Sequence, residues 1–177
     1  MRQTGFSFLK SYSKEFGGSS LVGKRKGMRP LSTKEPIHLV LKSSHSSFFS
    51  PSLRKVEFLV RAECQRFGIK LFNLAPNWNH IHLLIQIPSR AAYNKFIRSL
   101  SAQLVRLFSK ILNKNLRGLF DLRPFTKIIS WGRQFQNAFD YHILNQLEAR
   151  GLMSRKKPKE KSKKNHSFVQ FDALKSV

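Results

Sequence analysis

Apolar and polar positions along the chain change their period several times, and the changes predict seven elements. Short apolar runs bounded by turn residues predict strands, and apolar residues three or four positions apart predict helices. The strands are expected at 36–42, 69–75, 80–87 and 126–131, and the helices at about 51–67, 91–112 and 133–150. The order β-α-β-β-α-β-α predicts an α+β sandwich, with helices on one face of a mostly antiparallel sheet.

Each predicted helix has an apolar stripe that should face the core. The stripes are Leu53, Val56, Val60, Cys64 and Phe67 in the first helix; Tyr93, Ile97, Leu100, Leu104, Leu107 and Ile111 in the second; and Phe135, Phe139, Ile143 and Leu147 in the third. The segment 76–79 between the second and third strands is short, which predicts an antiparallel hairpin.

The domain organisation follows from these elements and from the composition of the two ends. Residues 1–35 are rich in Gly, Ser, Lys and Arg and predict a basic arm, flexible or partly ordered on binding. Residues 36–152 hold all the predicted elements and form the expected domain. Residues 153–177 crowd lysines and arginines with few acids, which predicts a disordered basic tail.

Charge narrows the choice of partner. The chain has 33 Lys and Arg against 9 Asp and Glu, a net charge of +24, so a polyanion is expected, with nucleic acid ahead of an anionic membrane. No apolar run approaches the roughly 20 residues that span a bilayer, and no secretion or lipidation signal is evident. We expect a protein of the bacterial cytoplasm that does not bind membranes.

The scarcity of acids and cysteines excludes several chemistries. Two-metal nucleases gather several carboxylates around paired ions, and the nine acids show no such cluster. Cys64 is the single cysteine, so neither an internal disulfide nor a cysteine-based zinc site is possible. A nuclease built on this chain would need other ligands and another nucleophile.

The first candidate site is the pair His80 and His82 in the third predicted strand. Because side chains alternate along a strand, both histidines project from one face, with Cα atoms about 6.5–7 Å apart. Two imidazoles at this spacing can bind one metal ion. The alternative is a pair of half-exposed strand histidines that are hydrogen-bonded to their neighbours.

The second candidate site is in the last helix. Tyr141 lies off the phenylalanine stripe, on a polar face that it shares with Asn145 one turn later. The tyrosine is a candidate nucleophile, and the Asn145 amide oxygen could bind a hard cation such as Mg²⁺ or Mn²⁺. The alternative is an ordinary exposed tyrosine at an interface.

Other residues could contact nucleic acid. Lys24, Arg25 and Lys26, together with Arg98 and Arg106 of the second helix, could bind phosphates, or they could form solvated basic surfaces. Trp78 or Trp131 could stack an unpaired base, although a core position is the favoured expectation for each tryptophan. For His38, in the first strand, a structural role is expected.

These residues resemble a known family, the single-strand HUH transposases with one catalytic tyrosine, and in particular the REP-associated tyrosine transposases. The resemblance is carried by PNWNHIHLLI at 76–85, by YHILN at 141–145 and by ARGL at 149–152. It covers about residues 36–152. The histidine pair and a later tyrosine, in this order, are more specific than either motif alone.

The resemblance implies a ferredoxin-like core with a four-stranded sheet and a C-terminal helix that carries the tyrosine. It implies a metal-dependent endonuclease and strand transferase, with a divalent ion, Mg²⁺ or Mn²⁺, held by His80, His82 and Asn145. Tyr141 would form a 5′-phosphotyrosine link and release a free 3′-OH. Relatives act on hairpins in single-stranded repeats and often form homodimers, so a homodimer is expected and a monomer stays open.

Two departures from the family pattern bear on the third ligand. Many relatives have Gln one turn after the tyrosine, where this chain has Asn145, and the REP-associated branch commonly has Pro where this chain has Gln146. The alternatives that stay open are a non-catalytic DNA- or RNA-binding protein, an inactivated or domesticated relative, and a rolling-circle or conjugation nuclease.

Overall fold

The structure is a computed structural model that describes residues 14–23, 27–44, 52–116, 118–120 and 122–153. Its strands are β1 (Glu15–Phe16), β2 (Ile37–Lys42), β3 (Lys70–Pro76), β4 (His80–Gln86) and β5 (Phe125–Ile128). Its α-helices are α1 (Leu53–Arg66), α2 (Arg90–Leu112) and α3 (Arg133–Ala149), and a short 3₁₀ helix covers Gly18–Leu21. The seven predicted elements are all present in the predicted order.

The strands form one antiparallel sheet with the spatial order β1-β5-β2-β4-β3. The predicted hairpin is the β3–β4 pair, and β2 lies between β4 and β5. The fold class is therefore confirmed as α+β, but the sheet has five strands where four were predicted. The fifth, β1, is only two residues long, too short to show an alternating pattern in the sequence.

The main core lies between one face of the sheet and helices α1 and α2. Alternate residues of β2 and β4 supply the sheet side, and the helices supply the predicted Val56, Val60, Leu100 and Leu104. In α2 the buried stripe also uses Phe96 and Phe108 in place of the predicted Ile97 and Leu107, and Ile111 is exposed. Cys64 is buried in this core, and its burial raises the pKa of the thiol to about 12.

The ends of the helices follow from local chemistry. The Ser89 hydroxyl accepts a hydrogen bond from the backbone N–H of Ala92 at 3.1 Å and caps the start of α2. Gly68, with φ of 64°, follows α1 and turns the chain into β3. The predicted helix start at Ser50-Pro51 lies outside the described residues, and α1 begins at Leu53.

The segment around Arg29 is fastened to the β1–β5 edge of the sheet. Arg29 donates to the carbonyl of Pro124 at 2.8 Å and to the Thr126 hydroxyl at 2.7 Å, and its guanidinium lies 4.6 Å from the centre of the Phe16 ring. Burial lowers the pKa of the guanidinium. Part of the predicted basic arm thus contributes to the sheet.

In the described part of the chain, no helix has both the length and the apolar character required to cross a bilayer.

Candidate metal and tyrosine site

Three histidines share one face of the sheet, called here the histidine face. In the β2–β4 register Lys42 lies opposite His80, Val40 opposite His82 and His38 opposite Leu84, and residues directly opposite each other project to the same side. His38, His80 and His82 therefore all project away from the core that α1 and α2 cover. The predicted common face of His80 and His82 is present.

His80 and His82 are close and differently engaged. Their ring centres are 4.5 Å apart and the rings are nearly perpendicular. The Nδ1 of His80 lies 2.8 Å from the side-chain oxygen of Asn79, an acceptor, so Nδ1 donates and the Nε2 lone pair stays available for a ligand. The Nδ1 of His82 lies 2.9 Å from the Nε2 of His38.

Helix α3 covers the histidine face and brings Tyr141 to it. The Tyr141 ring centre is 5.8 Å from that of His82, with the rings perpendicular. The tyrosine is 43% exposed, which agrees with its predicted position off the core, whereas Asn145 is only 2% exposed. The helix thus places an accessible phenol beside the histidines and a buried amide one turn further on.

The predicted burial of α3 is wrong in phase. Its fully buried side chains are the polar His142 and Asn145, while Ile143 of the predicted apolar stripe is exposed. The reason is that α3 packs on the histidine face, where polar groups line the sheet, so its polar side faces inward. At the start of α3, Phe135 of the predicted stripe packs against Phe72 and Trp131.

Sequence reasoning missed two histidines at this site. Ligand nitrogens of His38, His82 and His142 all lie within 4.8 Å of one another. The His142 ring centre is 4.9 Å from that of His38 and 5.5 Å from that of His82. Strand alternation could have put His38 on the face of His80 and His82, but the inward direction of His142 depends on how α3 packs.

His142 is buried in an unusual way. It is 0% exposed, and among the described residues neither ring nitrogen has a hydrogen-bond partner. An unsatisfied buried polar group costs about 1–3 kcal/mol, so this ring is destabilising as it stands. A ligand that binds one of its nitrogens would offset that cost.

Burial lowers the pKa of three histidines at this site, His38, His80 and His142. Burial, followed by the charge of Lys127, lowers the pKa of His38 to about 4. Burial, followed by the neighbouring His38, lowers the pKa of His142 to about 3. Burial, followed by Lys42, also lowers the pKa of His80. Neutral imidazoles keep the lone pairs that a metal ion requires.

The side chain after Asn145 fastens α3 to the sheet. Gln146 donates through Nε2 to the side-chain oxygen of Asn73 at 2.6 Å and to the carbonyl of Leu74. A proline at this position would have no side chain that could make these bonds. The bonds of Gln146 to β3 therefore help to position Asn145 and His142 on the same helix.

The residues predicted to contact nucleic acid lie in different parts of the structure. Trp78 is 58% exposed and Trp131 is 49% exposed, so the favoured core position is wrong for both. Trp78 lies in the β3–β4 turn two residues before His80, and Trp131 bonds the Lys34 carbonyl at the entry to α3. Arg98 and Arg106 are exposed on α2, whose core side packs on the opposite face of the sheet. Lys24, Arg25 and Lys26 lie outside the described residues.

The donors present fit a divalent metal ion. The ligand nitrogens of His38, His82 and His142 lie within 4.8 Å of one another and could hold an ion, and the His80 ring lies beside that of His82. His82, His142 and Asn145 are all buried polar groups in the same helix–sheet interface. This inversion of the usual apolar interface marks it as a candidate site.

Comparison with known proteins identifies the family. The family described as "Transposase IS200 like" matches residues 33–126, more than half of the chain. The chain therefore belongs to the IS200-like transposase family. The matched range contains His38, His80 and His82 and ends before α3.

One of two similar solved structures shows the same fold. A REP-associated tyrosine transposase bound to a REP hairpin matches at 11% identity with a TM-score of 0.57, over 73% of this chain and 76% of that chain. A putative transposase from Deinococcus radiodurans matches at 15% identity with a TM-score of 0.45, over 69% and 97% of the two chains. No curated protein matches the chain.

Proposed function

We propose that this transposase is a metal-dependent single-strand DNA endonuclease and strand transferase that uses Tyr141 as its nucleophile. The observation that carries the proposal is the position of an exposed tyrosine ring 5.8 Å from the His82 ring, on a helix that otherwise turns polar side chains inward. The phenol is accessible to a DNA backbone, and the histidines beside it are buried or half-buried.

The chemistry can be written from the side chains. The Tyr141 phenol loses its proton, and its Oη forms a bond to phosphorus while the bond from phosphorus to the 3′ oxygen breaks. The 3′ oxygen takes up a proton, which leaves a free 3′-OH and a 5′-phosphotyrosine. The reverse attack by a 3′-OH rejoins a strand and frees the tyrosine, so no external energy source is needed.

His80, His82 and Asn145 are the proposed metal ligands. A bound divalent ion would polarise the scissile phosphate and stabilise the charge that develops on it. Asn79 fixes the tautomer of His80, and His38 orients the ring of His82. Two imidazoles favour Mn²⁺ over Mg²⁺, because Mg²⁺ prefers an all-oxygen shell.

The substrate is proposed to be single-stranded DNA with a hairpin. The net charge of +24 suits a polyanion, and the structurally similar REP-associated transposase is bound to a REP hairpin. A protein acting on genomic single strands would work in the cytoplasm. A homodimer is also proposed, supported by the exposed apolar side chains of Ile143 on α3 and of Leu152 and Met153 just after it.

The decisive test is a covalent adduct on a single-stranded hairpin oligonucleotide taken from repeats that flank the gene. With the label at the 3′ end, the labelled fragment should stay attached to the protein on a denaturing gel. With the label at the 5′ end, it should be released as free DNA. The opposite result would contradict a 5′-phosphotyrosine.

Tyr141→Phe should reduce the adduct by at least about 10³-fold, since the nucleophile is removed. Tyr93→Phe is the matched control, because Tyr93 is buried in the main core on α2. Chelation of divalent ions should also abolish the adduct, and added Mn²⁺ should restore it. If wild-type protein binds the hairpin but gives no adduct with any metal, the chain is a non-catalytic binder.

A further inference from the structure

We propose that His38, His82 and His142 form a second metal site, made only of imidazole nitrogens, which binds Zn²⁺ or a similar transition ion. This site differs from the proposed catalytic ligand set in two of its three members. Its ligand nitrogens come from β2, β4 and α3 and lie within 4.8 Å of one another. Binding here does not depend on whether the chain cleaves DNA.

Two of the three ligand nitrogens lie near the spacing of a zinc site. With zinc–nitrogen bonds of about 2.0–2.1 Å, two ligands of a tetrahedral ion lie about 3.3 Å apart. The Nε2 of His38 and the Nδ1 of His82 are 2.9 Å apart. To bind one ion, the two nitrogens would separate by a few tenths of an ångström and both rings would turn their lone pairs toward it. His142 closes the third side from α3.

The burial of His142 points to a ligand. The ring is fully buried, and within the described residues neither nitrogen has a hydrogen-bond partner. A histidine that only filled space in this interface would be replaceable by an apolar ring at no cost. Two other histidines face His142, so one of its nitrogens could bind the same metal ion as they do.

The donor set selects the class of ion. Three imidazoles with no carboxylate suit Zn²⁺, Co²⁺, Ni²⁺ and Cu²⁺, and they suit Mg²⁺ poorly. The nearest cation on this face, Lys127, is paired with Glu15 at 2.6 Å, which reduces its repulsion of an ion. His38 is only half-buried, so the site has a route to solvent.

A shared ligand makes the two sites exclusive. An imidazole that binds zinc through Nδ1 keeps its proton on Nε2 and cannot bind a second ion there. Zinc bound through Nδ1 of His82 would therefore displace the catalytic ion. This inhibitory effect rests on the proposed function, whereas the binding itself does not.

The test is binding of Co²⁺ to the metal-stripped full chain, followed by visible absorption of the tetrahedral ion, and of Zn²⁺ by calorimetry. Wild-type protein should bind one equivalent. His142→Phe should lower the affinity by at least the ~10–100-fold that loss of a mere supporting residue costs. Gln136→Leu, at an exposed position on α3, is the matched control and should bind Co²⁺ as wild-type protein does. His80→Ala removes a ligand of the proposed catalytic set and none of this one, so it should keep most of the Co²⁺ affinity.

Each other outcome has a defined meaning. If His142→Phe binds as tightly as wild-type protein, or if His80→Ala loses as much affinity as His142→Phe, the ion is not held by the three histidines and the proposal is wrong. If His142→Phe does not fold, X-ray absorption of the zinc-loaded wild-type protein should count three imidazoles, and a count of two or fewer overturns the proposal. His38→Phe should repeat the loss.

A separate arm tests inhibition. Zn²⁺ at the concentration that fills the site should suppress the Mn²⁺-dependent adduct of wild-type protein. If no adduct forms under any condition, the proposed function fails and the Co²⁺ result still decides the site. If the adduct forms and zinc binds without suppressing it, the two sites are not exclusive.

Discussion

At the residue scale, the site depends on a few side chains that hold the functional groups. Asn79 fixes the proton of His80, His38 engages His82, and Gln146 ties α3 to β3. None of the three needs to touch DNA. Each restricts the movement of a neighbouring ring or helix at the site. This matters because a ligand or nucleophile that is free to rotate loses more conformational entropy on binding.

Gln146 offers a test of this support. Gln146→Leu should lower the free energy of unfolding by about 1–3 kcal/mol, because it leaves the buried Asn73 oxygen and the Leu74 carbonyl with fewer donors. Urea denaturation measures the change. Gln136→Leu, which loses only an exposed bond to Asp140, should change it by less than about 0.5 kcal/mol. Equal effects would show that Gln146 is no anchor.

At the element scale, the sequence did not predict which side of α3 is buried, and it did not predict β1. Strand alternation placed His80 and His82 together, because a two-residue period depends only on the backbone. The phase of α3 was wrong because the rule that apolar residues face inward fails where a helix covers polar groups. No local pattern marks β1, whose pairing with β5 connects residues more than 100 positions apart. Tryptophan exposure likewise depends on packing between distant segments.

The β1 edge makes a prediction of its own. Gly17 has φ of 97°, and a Cβ there would lie 2.1 Å from the Pro124 carbonyl oxygen. Gly17→Ala should therefore destabilise the protein by about 1–3 kcal/mol and detach β1 from β5. Thermal denaturation measures the first effect, and faster backbone exchange at Thr126 the second. Gly27→Ala, with open space around its Cβ, is the control and should change neither.

At the scale of the whole molecule, charge is spread over both sides of the sheet. The histidine site lies on one face, while Arg98 and Arg106 are on α2, which packs on the other. A DNA strand bound at the histidine site would have to pass around an edge of the β-sheet to reach Arg98 and Arg106. Their predicted phosphate contacts therefore imply a long footprint, such as a hairpin stem beyond the cleavage point.

Salt dependence tests that footprint. If both arginines contact phosphates of the duplex stem, Arg98→Ala with Arg106→Ala should weaken binding and reduce the slope of log K against log salt by about 0.9 for each lost contact. Fluorescence anisotropy with a labelled hairpin measures the slope. Arg54→Ala with Lys55→Ala removes two exposed charges from α1 and is the control. An equal reduction in both double variants would indicate a general charge effect without local contacts.

The inward polar side of α3 has a consequence for how the protein opens. A helix held by hydrogen bonds and few buried apolar groups forms a unit that can separate from the sheet at lower free energy than the core helices. Amide hydrogens of α3 should therefore exchange with solvent faster than those of α1 and α2. An ion that joins α3 to the sheet acts as a latch, so metal loading should slow exchange in α3 alone. Uniform protection of all three helices would contradict this.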